Sequence, residues 1–187
     1  MKKITLLLLV ILIGMPIGIL ADSRINLTPV PMQMTVGEGK LILPESFTIS
    51  TGDLEEGAVA EAVKFSGLFS TISGYEVSLT DNGDAFMTMR RYNGDEELGD
   101  EGYTLDITAD GIAITANSAS GFYYAFQSIK KMLPANIMAE VKDNSVTEYS
   151  LPIVSIVDAP RFEYRGFMLD VSRHYFTTDQ IKRMIDV

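Results

Sequence analysis

Two segments with helical apolar spacing, residues 58–72 and 122–133, constrain this chain most, because each carries a stripe that only a sheet or another helix can cover. In the first, Ala58, Ala62, Phe65, Phe69 and Ile72 recur at i, i+4, i+7, i+11 and i+14 and so share one face. Asp53 is the candidate N-cap, with Glu56 three residues on, the spacing at which cap and side chain satisfy each other's orphan backbone donors. Gly74 can take the left-handed conformation that ends such a helix. In the second segment Phe122, Phe126, Ile129 and Leu133 form the apolar face, and the start lies near Ser118 or Ser120. Lys130 and Lys131 complement the negative end of its dipole, and Pro134 stops it.

Extended runs surround these helices. From residue 26 to 50, apolar and polar stretches alternate between Pro29, Pro31, Gly37-Glu38-Gly39 and Pro44, as short strands joined by hairpins would. Residues 75–79, 85–91, 103–108 and 112–115 are four further strands, the last two joined by Ala109-Asp110-Gly111 in a tight hairpin. Residues 136–150 are polar and read as a loop, 151–157 is another extended run, and Asp158-Ala159-Pro160 breaks the chain. Strands interleaved with two helices predict an α+β fold, a mixed or antiparallel sheet with two helices on one face, rather than an all-parallel sheet.

Residues 1–21 read as an export signal and are set aside from the fold. Lys2 and Lys3 begin it, residues 4–13 are apolar except for Thr5, and Ala21 offers a small residue for cleavage before Asp22. The competing reading is an uncleaved membrane anchor, since the apolar stretch 4–21 approaches the roughly 20 residues that span a bilayer. Gly14, Pro16 and Gly18 favour cleavage, so the expected location is periplasmic or secreted, with membrane contact only if the signal is retained. The Asn26-Leu27-Thr28 sequon matters only in a glycosylating host and otherwise reads as a polar turn. Removing residues 1–21 takes away two of the 15 Lys and Arg and none of the 25 acids, so the formal charge moves from −10 to −12. Nucleic acid is therefore not an expected partner. The absence of cysteine excludes disulfides, thiol catalysis and Cys-ligated zinc. The remaining length suits one domain, residues 22–160, followed by a remnant, residues 161–187.

That remnant has a different character, with charged side chains packed among large apolar ones from Arg161 to Phe176. Residues 167–171 are apolar apart from Asp170, as in a strand buried on both faces of a parallel barrel. Thr177 or Thr178 can then cap a third helix with apolar positions at Ile181, Met184 and Ile185. Asp170, Arg173 and His174 read as a buried polar network, and His174 lacks the companion His or Cys a metal site needs. By residue type alone, Arg165 reads as a structural ion pair with Glu163 or Asp170.

The run Tyr164-Arg165-Gly166-Phe167-Met168-Leu169-Asp170-Val171-Ser172-Arg173-His174 resembles the opening of the catalytic barrel of family 20 β-N-acetylhexosaminidases. Residues 98–105, 119–125 and 152–162 resemble the same family's N-terminal non-catalytic domain. The resemblance implies that residues 161–187 are the first β/α unit of a truncated (β/α)₈ barrel. It implies hydrolysis of terminal N-acetylglucosamine or N-acetylgalactosamine by substrate-assisted retaining catalysis, without cofactor or metal. The general acid Glu and its neighbouring Asp lie, in that family, in a His-x-Gly-Gly-Asp-Glu motif that this sequence does not contain. Gly94-Asp95-Glu96 and Gly99-Asp100-Glu101 share its last three letters, but both lie in a polar stretch where charges face solvent. Arg165 is the residue to which the family implies a role, that of holding hydroxyls of the terminal sugar, and guanidinium suits it with five donors in a planar fork. Because a barrel needs about 250 residues, the catalytic carboxylates are expected outside this sequence and the chain by itself inactive. The alternative is a stand-alone carbohydrate-binding or scaffolding module, although the chain has no Trp for a stacking platform.

Overall fold

A computed structural model describes residues 25, 27–92 and 98–185. The export-type segment 1–21, its cut before Asp22, Asn26 of the sequon and the Gly94-Asp95-Glu96 lookalike lie outside the described residues.

The strands are β1 (Gln33–Ile42), β2 (Ser46–Ser50), β3 (Glu76–Thr80), β4 (Met87–Arg91), β5 (Tyr103–Ile107), β6 (Ile112–Ala116) and β7 (Ser150–Asp158). The helices are α1 (Glu56–Ser73), α2 (Ala119–Met132), the single turn α3 (Ala135–Met138) and α4 (Thr178–Ile185). One mixed sheet runs in the order β1-β7-β5-β6-β4-β2-β3. Its β1, β7, β5 and β6 neighbours are antiparallel, and its β6, β4, β2 and β3 neighbours are parallel. The α+β architecture thus follows the sequence pattern.

Period-two alternation puts Tyr103, Leu105 and Ile107 of β5 and Ile112, Ile114 and Ala116 of β6 on one buried face. There they meet the predicted stripes of both helices: Ala58, Ala62, Phe65, Phe69 and Ile72 of α1, and Phe122, Phe126 and Ile129 of α2, are all buried. Phe65 stacks on Phe126 at 4.6 Å between ring centroids, so the two helices lie side by side. The opposite face carries polar pairs. Thr104 pairs with Thr115 through their hydroxyls, and Ser155 Oγ donates to Asp106 Oδ1 at 2.5 Å.

The hairpin pattern in residues 26–50 is a misreading. β1 is one ten-residue strand along β7, and Gly37-Glu38-Gly39 is a bulge between the Val36–Val154 and Lys40–Pro152 pairs. Gly39, at φ 88°, supplies the left-handed residue the bulge needs. β2 pairs instead with β3 and β4, both parallel, with α1 as the crossover between β2 and β3. The hairpin through Asp110 and Gly111 does form, with Thr108 N–H donating to the Gly111 carbonyl at 3.0 Å.

Asp53 does not cap α1. It sits inside a turn closed by Leu54 N–H to the Thr51 carbonyl at 3.1 Å, and Glu55 occupies the cap position without a side-chain bond. At the other end Gly74, at φ 80°, donates to the Ser70 carbonyl as expected. Ser118 caps α2, its Oγ accepting from Ser120 N–H at 3.1 Å. The polar stretch 136–150 is loop except that its first residues complete α3 and Ser150 begins β7.

A second glycine contact fixes how α2 sits on the sheet. A Cβ on Gly121 would fall onto the Gly102 carbonyl oxygen and 2.8 Å from Ala116 Cβ. Gly121→Ala is therefore expected to destabilise the fold by about 1–3 kcal/mol, the cost typical of overpacking. Urea unfolding checks this, and an unchanged midpoint would show that the helix has room to shift.

Residues 167–171 form no strand. Phe167 is 79% and Met168 89% exposed, because a strand requires a hydrogen-bonded neighbour and among the described residues none lies beside them. α4 does form, capped by Thr177: Gln180 N–H donates to Thr177 Oγ1 at 3.4 Å and Thr177 N–H to Gln180 Oε1 at 2.9 Å. Its apolar side is unburied.

Candidate functional site

The loop before β5 is tied to the start of α2. Asn117 Nδ2 donates to the Gly99 carbonyl at 3.0 Å, and Ser118 Oγ donates to the Asp100 carbonyl at 2.6 Å. A Cβ on Gly102 would fall inside the Leu98 carbonyl, so the turn that presents Glu101 tolerates no side chain at the next position. Tyr124 lies one turn into α2 and reaches the same place, its phenol donating to Glu101 Oε1 at 3.3 Å.

Arg165 completes the cluster. Its Nη2 donates to Glu101 Oε1 at 2.6 Å, to Glu101 Oε2 at 2.8 Å and to Tyr124 Oη at 3.0 Å. Its Nη1 donates to the Phe162 carbonyl, and its guanidinium carbon lies 5.8 Å from the Tyr124 ring centroid. The ion-pair partner is therefore Glu101, not Glu163 or Asp170. Spacing could not reveal this partner, since 64 residues separate the two side chains.

Charge at the cluster follows from this geometry. The hydrogen bond from Arg165 holds the Glu101 carboxyl below the usual carboxylate range, and the same bond raises the Arg165 guanidinium. A general acid needs the opposite shift, and the cluster instead favours Glu101 as an acceptor. Because its folded value is depressed, its contribution is present above the ordinary carboxylate range and lost as pH falls through the lowered value. Solvent facing is thus an incomplete reading of Gly99-Asp100-Glu101.

A groove of about 740 Å³ opens beside the cluster, lined among others by Leu27, Met32, Tyr123, Lys131, Phe162 and Arg165. In its wall Tyr103 Oη lies 2.6 Å from Ser128 Oγ and 3.4 Å from Asp158 Oδ2. Tyr103 donates to Asp158, which leaves the Ser128 hydroxyl to donate to Tyr103. Burial, the main cause, pushes the Tyr103 phenol up to about 12 and keeps it neutral. Asp158 Oδ1 also accepts from Met32 N–H at 3.1 Å, which holds the segment before β1 against β7.

Asp170 and Arg173 do pair, at 2.5 Å, and Asp170 Oδ1 accepts the Ser172 and Arg173 amides, bonds that lower its carboxyl. The arrangement is a local surface turn rather than a buried network, because with no covering strand Arg173 stays 87% exposed. His174 is exposed and outside it.

The profile of glycosyl hydrolase family 20, domain 2, matches residues 24–159, and that of the family's catalytic domain matches residues 162–187. The chain belongs to glycosyl hydrolase family 20. Among its family 20 relatives, the β-hexosaminidase of Porphyromonas gingivalis is 33% identical over 171 residues, covering 89% of this chain and 21% of that protein. The β-hexosaminidase subunit A1 of Dictyostelium discoideum is 29% identical over 189 residues, covering 99% of this chain and 33% of that protein. This chain therefore spans between a fifth and a third of the length of these relatives. The family 20 β-N-acetylhexosaminidase of Streptomyces coelicolor superposes with a TM-score of 0.70 at 30% identity, over 83% of this chain and 31% of that one. The Streptomyces plicatus enzyme in complex with Thio-NAglucal gives 0.70 at 28% identity, over 88% and 33%. Both carry the family 20 fold to which the mixed sheet and its two helices correspond.

Proposed function

We propose that this chain carries the N-terminal layer and the opening of the catalytic barrel of an exported exo-β-N-acetylhexosaminidase. Such an enzyme releases terminal N-acetylglucosamine or N-acetylgalactosamine by substrate-assisted, retaining catalysis. The observation that carries this reading is the match of residues 162–187 to the family's catalytic domain directly after the α+β layer. Further support comes from a Streptomyces plicatus β-hexosaminidase mutant, 29% identical, whose structure holds GlcNAc as product. The sequence holds no His-x-Gly-Gly-Asp-Glu motif, so the 187 residues by themselves lack the acid and the acetamido-orienting carboxylate. Release of chromophore from a nitrophenyl N-acetyl-β-glucosaminide tests the reading, and any turnover by these 187 residues alone refutes the division of labour.

Arg165 is the residue assigned to the sugar. Its Nε–H and its second Nη1 hydrogen are not engaged by Glu101, Tyr124 or Phe162, which leaves two donors for vicinal hydroxyls. In a polypeptide that hydrolyses the substrate, Arg165→Ala is expected to lower kcat/KM roughly 10- to 100-fold, the loss expected for charge-assisted hydrogen bonds. An effect below about twofold removes Arg165 from the subsite.

A second reading, a stand-alone binding or scaffolding module, is favoured by one feature: the layer closes its own core by β7, and no residue of α4 is buried. The reading frame beyond Val187 distinguishes the two, since a long barrel-forming continuation excludes the module.

A further inference from the structure

The connection from β3 to β4 begins Asp81-Asn82-Gly83-Asp84, and all four residues are exposed. An asparagine side-chain carbonyl followed by a glycine amide is the pairing least hindered toward attack by the next backbone nitrogen. Glycine has no Cβ to crowd the approach, and its backbone turns freely into it. We propose that Asn82-Gly83 is a site of spontaneous covalent modification, at which the asparagine cyclises and then opens to aspartate and isoaspartate. This is independent of what the chain hydrolyses.

The Gly83 nitrogen gives up its proton and bonds to Asn82 Cγ, the Cγ–Nδ2 bond breaks, and ammonia leaves carrying that proton. Water then opens the succinimide: cleavage of the bond from Cγ to nitrogen gives aspartate, and cleavage at the backbone carbonyl gives isoaspartate. Nothing is oxidised or reduced.

Local geometry favours this pair over other asparagines. Asp84 N–H donates to Asn82 Oδ1 at 3.3 Å, which turns the side chain back along the following backbone. The same donor rests on the oxygen that gains charge as the ring closes. Among the described residues none accepts from the Gly83 N–H and none holds Asn82 Nδ2, so the nucleophile and the leaving group are both free of protein partners. By contrast, Asn136 Nδ2 is tied to Tyr149 Oη at 2.8 Å, and the next residue is the β-branched Ile137. The product would place a new carboxylate between Asp81 and Asp84.

The chain supplies its own internal reference. Trypsin releases residues 65–90 as a peptide in which Asn82 is the only amide side chain, and residues 132–142 as one in which Asn136 is. When the folded chain is incubated at neutral pH, the first peptide is expected to gain the mass that exchanges NH₂ for OH and to split into two chromatographic forms. It does so at least about tenfold faster than the second, equivalent to about 1.4 kcal/mol on the barrier. Gly83→Ala is expected to slow the change about tenfold. That variant suits the fold, because a Cβ there meets no atom within 4 Å and the backbone lies outside the left-handed region. Asn82→Asp marks where the aspartate form elutes. Equal rates for the two peptides overturn the proposal, as does an unchanged rate in a Gly83→Ala chain whose circular dichroism matches wild type.

Discussion

Phe69→Ala is expected to lower the unfolding free energy by about 3–5 kcal/mol, a large part of the 5–15 kcal/mol typical of a domain. Phe69 is fully buried on α1 and meets four other rings: Phe47 at 6.0 Å, Phe65 at 5.9 Å, Tyr75 at 5.9 Å and Tyr149 at 5.3 Å between centroids. These rings come from β2, α1, the turn after it and the segment before β7, so the cavity would be walled by four separate parts of the chain. Neighbours on that many elements cannot collapse together into the gap. Because the chain has no Trp, far-ultraviolet circular dichroism in urea is the suitable probe. A midpoint fall of roughly 2 M is expected at an ordinary denaturant slope. A fall below about 0.5 M at unchanged slope would place Phe69 away from the centre of the core.

The periodic elements were legible in the sequence because burial has a period. Every stripe residue named for α1 and α2 is buried, as is Leu133 just past α2, and the Ala109-Asp110-Gly111 hairpin forms where its Asp-Gly step marks it. Pairing was less legible. Gly37-Glu38-Gly39 carries the residues of a hairpin, but the partner of β1 is β7, more than 100 residues away, and local turn chemistry says nothing about so distant a neighbour. The same limit applies at the site. Arg165 stands out by its motif, whereas Glu101 sits in an acidic stretch that looks solvated, and Tyr124 is one of several aromatics on α2. Residues 167–171 have the composition of a buried strand, and composition alone does not supply the neighbours that would pair with it.

The other large effect is catalytic and all-or-none. Enzymes of this kind accelerate their reactions by many powers of ten, so a polypeptide without the acid and its neighbouring carboxylate falls to the level of the blank. Here the carboxylate bonded to Arg165 is that of Glu101, and the bond holds it below the usual carboxylate range, the opposite of the shift a general acid needs. The decisive measurement is release of nitrophenol from the N-acetyl-β-glucosaminide by two polypeptides: these 187 residues, and the same residues continued through a complete family 20 barrel. The expected result is no release above buffer from the first and steady turnover from the second. Turnover by the first, or none by a folded second, would contradict the account.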